Sequence, residues 1–400
     1  MRPADSAFTD FDRRAMARAM VLAERGAETA HPNPRVGCVI TRGNQIIAEG
    51  WHERAGGPHA EAAALRALAA PAEGTTVYVT LEPCSHHGRT PPCAEALIAA
   101  RVARVIYAID DPNPRVAGGG AAALRAAGIE VASGLMASEA EEANIGFFMR
   151  MRKGRPFVRV KMGTSLDGRV ALSNGASRWI TGEAARNDVQ RWRARSSAVL
   201  TGIGTVLADD PQLTVRLPGV QRQPLRIVLD TKLRTPPSAR ILDASAPTMI
   251  FTQAGSVSGE AARVAKGVRI ERASADSLGL SAERPARAEA HTAAARERVA
   301  AESTAGSIEQ LVNLHSMVAR LAQLEINEVL VEAGPTLGGA FVQHGLADEL
   351  VLYMAPKLLG PQARPLFDLP RLVDLQQATR FRIIEQTLIG EDLRLRLRPT

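Results

Sequence analysis

Cysteine is scarce in this chain: three in 400 residues, at Cys38, Cys84 and Cys93. So low and odd a count does not read as a disulfide framework, and it fits a reducing compartment. Aromatic residues make up only 4%, too few for the stacking platforms that hold single-stranded nucleic acids. No run of about eighteen apolar residues occurs, which argues against a membrane span. The first thirty residues mix acids and bases and lack the apolar core of a secretory signal, so a cytoplasmic enzyme is expected. Lysine is rare too. Arginine supplies 44 of the 49 basic residues behind the net charge of +7. Those arginines are interleaved with acids rather than gathered in a stripe, so neither a nucleic-acid nor a membrane partner is expected. A modest basic surplus suits small phosphorylated substrates.

What is present is an ordinary apolar fraction of 46% in a chain long enough for two or three domains. Spacing predicts helices over Phe11–Arg25, His59–Leu68, Cys93–Ala100, Ala121–Ala127 and Ser138–Arg152. Strands are predicted at Val36–Thr41, Gln45–Glu49, Thr76–Leu81, Val105–Ile109 and Ile129–Val131. Such alternation implies a three-layer α/β domain. The breaker cluster Gly154-Arg155-Pro156 marks the expected boundary, giving domains 1–150 and 151–400, each with its own core.

Beyond it a second series is predicted, with strands at Phe157–Met162, Ala198–Thr201, Leu225–Leu229, Thr248–Thr252, Glu328–Glu332 and Glu349–Tyr353. Helices are expected at Glu183–Arg195 and Ile308–Leu324, and Phe381–Glu385 with Asp392–Leu397 read as a closing antiparallel pair. The stretch Ala273–Gly306 has almost no bulky apolar residues after Leu280. It reads as a mobile insertion, with a marginal solvated helix as the alternative.

The sharpest chemical signal is His59-Ala60-Glu61 followed by Pro83-Cys84 and Cys93. One imidazole and two thiolates suit zinc, and three protein ligands leave a fourth position where bound water becomes hydroxide near neutral pH. Glu61 would not ligate but would carry protons from that water to a ring nitrogen and the leaving ammonia. Zinc deaminases pair such a histidine and glutamate with Pro-Cys-x-x-Cys, whereas here eight residues separate the cysteines. Cys38, alone in a strand, reads as a small core residue.

The intervening residues account for that departure. Leu81-Glu82-Pro83-Cys84-Ser85-His86-His87-Gly88-Arg89-Thr90-Pro91-Pro92-Cys93 resembles the long zinc loop of the bifunctional riboflavin-biosynthesis deaminase/reductase family. His31-Pro32-Asn33-Pro34, Asp111-Pro112-Asn113-Pro114, Ser165-Leu166-Asp167-Gly168, Leu207-Ala208-Asp209-Asp210-Pro211 and Val331-Glu332-Ala333-Gly334-Pro335-Thr336-Leu337 are similar to that family as well.

The resemblance implies a cytidine-deaminase-like α/β/α domain followed by a dihydrofolate-reductase-like α/β domain. Its two reactions are deamination of 2,5-diamino-6-ribosylamino-4(3H)-pyrimidinone 5′-phosphate, then NADPH-dependent reduction of ribosyl to ribityl. It assigns zinc to His59, Cys84 and Cys93, proton transfer to Glu61, and substrate contacts to Asn33, His86 and Arg89. Arg89 stands where the family sometimes has lysine. A homo-oligomer is expected.

In the second half the residues alone say less. Gly334, Gly338 and Gly339, after the strand Glu328–Glu332, form a phosphate-loop candidate with a tight strand-to-helix turn as the equal alternative, and Gly202-Ile203-Gly204-Thr205 is a second, weaker candidate. The resemblance makes both loops part of the NADPH site, with Gly163, Trp179, Thr205, Asp209, Gly334, Pro335, Thr336, Leu337, Gly338 and Gly339 at cofactor positions. Ser177, Arg193, Leu213, Arg216 and Glu332 fall at substrate positions, the arginines suited to a 5′-phosphate. Lys161 is a candidate for polarising the ribose, an ordinary strand lysine being the alternative.

Two other readings compete. A nucleoside or tRNA-base deaminase with an unrelated second domain is opposed by the second-half motifs. A nucleic-acid-binding module with a structural zinc is opposed by Glu61.

Overall fold

Strand and helix alternate along most of the chain, and the computed structural model describes residues 8–85, 92–114, 116–255, 259–272 and 312–400. His86, Arg89 and the stretch Ala273–Gly306 lie outside the described residues. The first five strands are β1 (Gly37–Arg42), β2 (Gln45–Trp51), β3 (Thr76–Val79), β4 (Arg104–Tyr107) and β5 (Glu130–Ser133). They form one sheet in the order β2-β1-β3-β4-β5. β1 runs antiparallel to β2 and β3, while β3, β4 and β5 are parallel.

The two-residue period of a strand sends side chains to opposite faces. Val39, Tyr78 and Ile106 pack under helix α1 (Asp10–Glu24) through Met16, Ala19 and Leu22. Cys38, Ile40, Val77, Val79 and Val105 meet the opposite layer, helices α2 (Ala60–Arg66), α3 (Cys93–Ala99) and α4 (Gly119–Ala126). The result is a three-layer sandwich. Gly50 on β2 lets α2 lie close, since a Cβ there would stand 2.4 Å from Ala60 O and from Ala64 N. That contact seats the helix carrying Glu61.

The helix predicted over Ser138–Arg152 is in fact two, α5 (Ala137–Ala143) and α6 (Ile145–Lys153), broken at Asn144. Asn144 has φ −113° and ψ 23°, and its side chain is committed to the backbone of Arg35. A long-range partner, invisible to local periodicity, makes the break. Gly154, in the left-handed region at φ 65°, ends α6.

The remaining strands are β6 (Phe157–Ser165), β7 (Arg169–Ala171), β8 (Ala198–Gly202), β9 (Leu225–Leu229), β10 (Thr248–Thr252), β11 (Arg269–Arg272), β12 (Glu328–Glu332), β13 (Glu349–Ala355), β14 (Arg364–Pro365), β15 (Phe381–Ile389) and β16 (Asp392–Pro399). Nine of them make a second sheet, ordered β11-β10-β9-β8-β12-β6-β13-β16-β15. From β11 to β13 it is parallel, and β16 and β15 close it antiparallel.

One face packs on the helices Leu314–Gln323 and Pro335–Gln343, the other on α7 (Glu183–Arg195) and α8 (Ile203–Asp209). With both faces covered, central strands such as β10 are buried at every position, which is why they read as unbroken apolar runs. The helix predicted from Ile308 begins, among described residues, at Leu314, where the Asn313 side chain caps it by accepting from Ser316 N–H.

Candidate active sites

The chain leaving β3 carries Leu81, Glu82, Pro83 and Cys84. Glu82 is buried, and its carboxylate accepts from the N–H groups of Gly118 (3.0 Å) and Ala121 (3.2 Å) at the start of α4. A Cβ on Gly120 would meet Pro83 O at 1.7 Å, so the glycine lets α4 clamp this loop. Cys93 opens α3 and donates its N–H to Cys84 Sγ at 3.3 Å. His59 caps α2, its Nδ1 lying 3.5 Å from Cys84 Sγ and 3.3 Å from Cys93 Sγ.

The three donor atoms lie within 4.8 Å of one another. One nitrogen and two sulfurs converging from three helix or strand ends fit zinc, with no fourth protein donor among the described residues. The Cys84 thiol is held below its ordinary range, chiefly by its hydrogen bond with Cys93 and then, against burial, by His59. A metal needs that deprotonated form.

Glu61 is buried in the first turn of α2. Burial, then the Cys84 charge, pushes its carboxyl up to about 7, the direction that suits a group exchanging protons with a substrate. Asn33 joins the same site. Its Nδ2 lies 3.0 Å from His52 Nε2, and His52 Nδ1 lies 2.9 Å from Pro58 O. A carbonyl only accepts, so His52 carries its proton on Nδ1 and takes the Asn33 N–H on Nε2. Burial lowers the His52 pKa, in keeping with that neutral ring. The His52 and His59 rings meet edge to face at 5.5 Å. Neither His52 nor Glu82 was singled out from sequence; a lone histidine carries no spacing signal, and Glu82 is legible only beside the run Gly118-Gly119-Gly120.

In the second sheet, β8 and β12 are parallel neighbours. Each runs straight into a helix whose N-cap is glycine, Gly202 and Gly334, with no side-chain cap on either. The first-turn N–H groups, among them those of Thr336 and Leu337, therefore lack side-chain acceptors and suit phosphate. The two loops touch, since a Cβ on Gly202 would lie 3.2 Å from Leu337 Cδ2. Nothing would meet a Cβ on Gly334 within 4 Å, leaving that backbone open for close approach. Gly338 and Gly339 differ: a Cβ there would meet the Phe367 ring at 3.3 Å and Asp368 O at 2.4 Å, so they serve packing.

Beside these loops stand the charged candidates. Glu332 takes two hydrogen bonds from Arg193, at 2.5 and 2.9 Å, and Arg193 also donates to Thr214 O at 2.9 Å. Lys161 is the cross-strand partner of Glu332. Burial lowers its pKa, which Glu332 opposes and Arg193 reinforces. Leu213, at φ 52°, leads to the exposed Arg216, whose backbone N–H is held by Gln190 Oε1 at 3.0 Å. One carboxylate among three cations leaves a net positive pocket, suited to a phosphate.

Trp179 is exposed, with the Arg186 guanidinium 4.5 Å from its ring centre. Lys357 Nζ donates to Trp179 O and Ile180 O, fixing the segment that also carries the half-buried Ser177. Asp209 ends α8, and its carbonyl accepts from Arg178 at 2.7 Å. Gly163 on β6 faces Thr181, whose Cγ2 would lie 3.2 Å from a Cβ. Asp167, from the Ser165–Gly168 motif, accepts the N–H groups of Leu359 and Gly360 and so pins the loop after β13.

Residues 9–109 match the cytidine and deoxycytidylate deaminase zinc-binding region, and residues 156–395 match the RibD C-terminal domain. The riboflavin biosynthesis protein RibD of Escherichia coli K12 is 46% identical over 394 residues, covering 96% of this chain and 98% of its own. The structure of Acinetobacter baumannii RibD superposes with a TM-score of 0.83 at 42% identity, covering 98% and 99% of the two chains. A Thermotoga maritima diaminohydroxyphosphoribosylaminopyrimidine deaminase/5-amino-6-(5-phosphoribosylamino)uracil reductase gives 0.80 at 31% identity, with the same coverage.

Proposed function

The chain belongs to the RibD family of riboflavin-biosynthesis deaminase/reductases, and on that footing we propose how its residues share two reactions. It is a bifunctional enzyme. It deaminates 2,5-diamino-6-ribosylamino-4(3H)-pyrimidinone 5′-phosphate, then reduces the ribosyl group to ribityl with NADPH. The convergence of His59, Cys84 and Cys93 beside the buried Glu61 is the observation that carries this reading.

Those three side chains would hold zinc, which would supply an acidified water. Glu61 takes a proton as the water adds to the amino-bearing ring carbon and passes it to the adjacent ring nitrogen. It then moves the remaining hydroxyl proton to the amino group, which leaves as ammonia while the carbonyl forms. Asn33, its Nδ2 committed to His52, is left with Oδ1 to accept from a substrate amino group. His86 and Arg89 remain assigned to the substrate by resemblance.

NADPH supplies the hydride for the second reaction. We assign its binding to Gly163, Trp179, Thr205, Asp209 and the residues Gly334, Pro335, Thr336, Leu337, Gly338 and Gly339, the last two acting through packing. Lys161 polarises the ribosyl oxygen, Glu332 holds Lys161 and Arg193 in place, and Arg216 meets the phosphate, with Ser177 and Leu213 lining the pocket. We divide the two activities between residues 1–150 and 151–400, a division supported by the stop at Gly154.

A homo-oligomer is supported by exposed Ile383 and Leu388 on the edge strand β15. Sedimentation of the purified chain tests it, and a monomer contradicts it. That none of the three cysteines is in a disulfide supports a reducing, cytoplasmic setting, and no described helix is long and apolar enough to cross a membrane. Removing and restoring zinc tests the division of labour. Ammonia release should vanish and return, while NADPH oxidation on deaminated pyrimidine should not change. Loss of both activities on metal removal contradicts it.

A further inference from the structure

The corner His31-Pro32-Asn33-Pro34-Arg35 lies outside any helix or strand, and its two prolines offer no N–H. Its polar groups must therefore find partners elsewhere, and four of those partners, Arg195, Ser197, Asn327 and Glu328, lie in the reductase half. His31 Nε2 donates to Arg195 O at 2.9 Å, and His31 Nδ1 accepts from Ser197 Oγ at 3.0 Å. That same Oγ accepts the N–H groups of Asn327 and Glu328, both at 3.2 Å, so the hydroxyl is fully used.

Pro32 O accepts from Asn327 Nδ2 at 2.9 Å, and Asn327 Oδ1 accepts in turn from Arg150 at 2.6 Å. Arg35 puts its guanidinium on Glu328 at 2.9 Å, while Asn144 holds its backbone from both sides. Arg35, Asn144, Asn327 and Glu328 are all buried. Between these anchors sits Asn33, whose side chain reaches the other way, to His52 beside His59.

We infer that Asn327 and Glu328, at the start of reductase strand β12, are positioning residues for the deaminase, holding the His31–Arg35 corner so that Asn33 presents its Oδ1 to the aminopyrimidine. The inference rests on the reading of Asn33 as a substrate contact. It makes the second domain part of the first domain's active site without touching substrate, zinc or Glu61. A buried amide anchor of this kind fixes a loop that has no ladder of its own.

The test is steady-state deamination of the diaminopyrimidine phosphate by full-length Asn327→Leu and Asn327→Asp, with Asn33→Ala as the reference. Asn327→Asp keeps an acceptor for Arg150 but sets a carboxylate oxygen against Pro32 O in place of the donor, leaving that carbonyl only its 3.3 Å bond from Arg150, whereas Asn327→Leu removes donor and acceptor without adding charge. Both Asn327 variants should raise KM by about 3- to 10-fold, the scale of one lost hydrogen bond, with kcat within about 2-fold. Zinc content and NADPH oxidation on deaminated substrate should stay near wild type. A merely structural role would instead lower kcat for both reactions and release zinc, leaving KM alone, and that pattern overturns the inference. A raised KM in Asn33→Ala with unchanged KM in both Asn327 variants overturns the anchoring alone. An unchanged KM in Asn33→Ala overturns the reading of Asn33 and the anchoring with it.

Discussion

Glu328 accepts a 2.9 Å hydrogen bond from Arg35, a residue 293 positions earlier in the chain, and both side chains are buried. Glu328 also pairs with Arg159, and Arg159, Arg195 and Arg35 hold its carboxyl far below the usual range against the cost of burial. Removing one partner of a buried pair leaves charge uncompensated. Arg35→Met should therefore destabilise the chain by about 3 kcal/mol, read from the midpoint of urea unfolding. An unchanged midpoint would mean that Arg159 and Arg195 suffice for Glu328.

The same interface bears on whether the halves act alone. Sequence patterning predicts a fragment from Arg155 onward with its own core and its own NADPH-dependent reductase activity. The apolar clusters of the second sheet are indeed drawn from its own strands and helices. Yet Arg396 and Arg398 reach Glu142, and Glu328 reaches Arg35, across to the first half. The fragment should reduce deaminated pyrimidine but melt below the full chain. Equal melting temperatures would show that these bridges add nothing.

His31 gives a pH signature. Burial, then the Arg222 charge, pushes its pKa down to about 4 from 6.5. Above pH 6.5 the ring is neutral folded or unfolded. As pH falls from 6.5 towards 4, only the unfolded chain takes the proton, so stability falls, by at most about 3 kcal/mol for such a shift. His31→Gln should flatten that part of the stability–pH curve relative to wild type. Parallel curves contradict the buried neutral ring.

Zinc content separates the three cysteines. Cys84→Ala and Cys93→Ala should lose the metal, whereas Cys38→Ala, altering a residue within the sheet core, should keep it. Glu61→Gln should keep zinc and lose ammonia release by at least about 100-fold, the scale of a removed proton carrier. A zinc-free Cys38→Ala chain contradicts the three-ligand assignment.

Arg216 tests the second pocket. It is exposed and its guanidinium has no acidic partner among the ion pairs of the described residues, whereas Arg193 is held by Glu332. Arg216→Ala should raise the reductase KM by about 10-fold or more with little change in kcat. A fall in kcat alone would place Arg216 away from the phosphate.

How much of this was legible depended on whether chemistry or tertiary contact chose the residue. His59, Cys84, Cys93 and Glu61 were readable because a zinc deaminase restricts residue type and the His59–Glu61 spacing, while the wider cysteine spacing was explained only by the resemblance. His52 was not, because its role lies in orienting Asn33 and in its place beside His59. The alternation of β6, β8, β9, β10, β12 and β13 was legible from apolar runs. The break at Asn144 was hidden, since it follows from Arg35 over a hundred residues away. Gly338 and Gly339 looked like part of a phosphate loop, yet their lack of side chains makes room for Phe367 and Asp368.

The most direct measurement follows ammonia and NADPH together in one reaction, with the diaminopyrimidine phosphate as the only pyrimidine supplied. Full-length, zinc-loaded chain should release one ammonia for each NADPH oxidised, with ammonia appearing first. Glu61→Gln should stop both signals, and adding deaminated pyrimidine should restore only NADPH oxidation. NADPH oxidation by Glu61→Gln without added deaminated pyrimidine would contradict two sites acting in sequence within one chain.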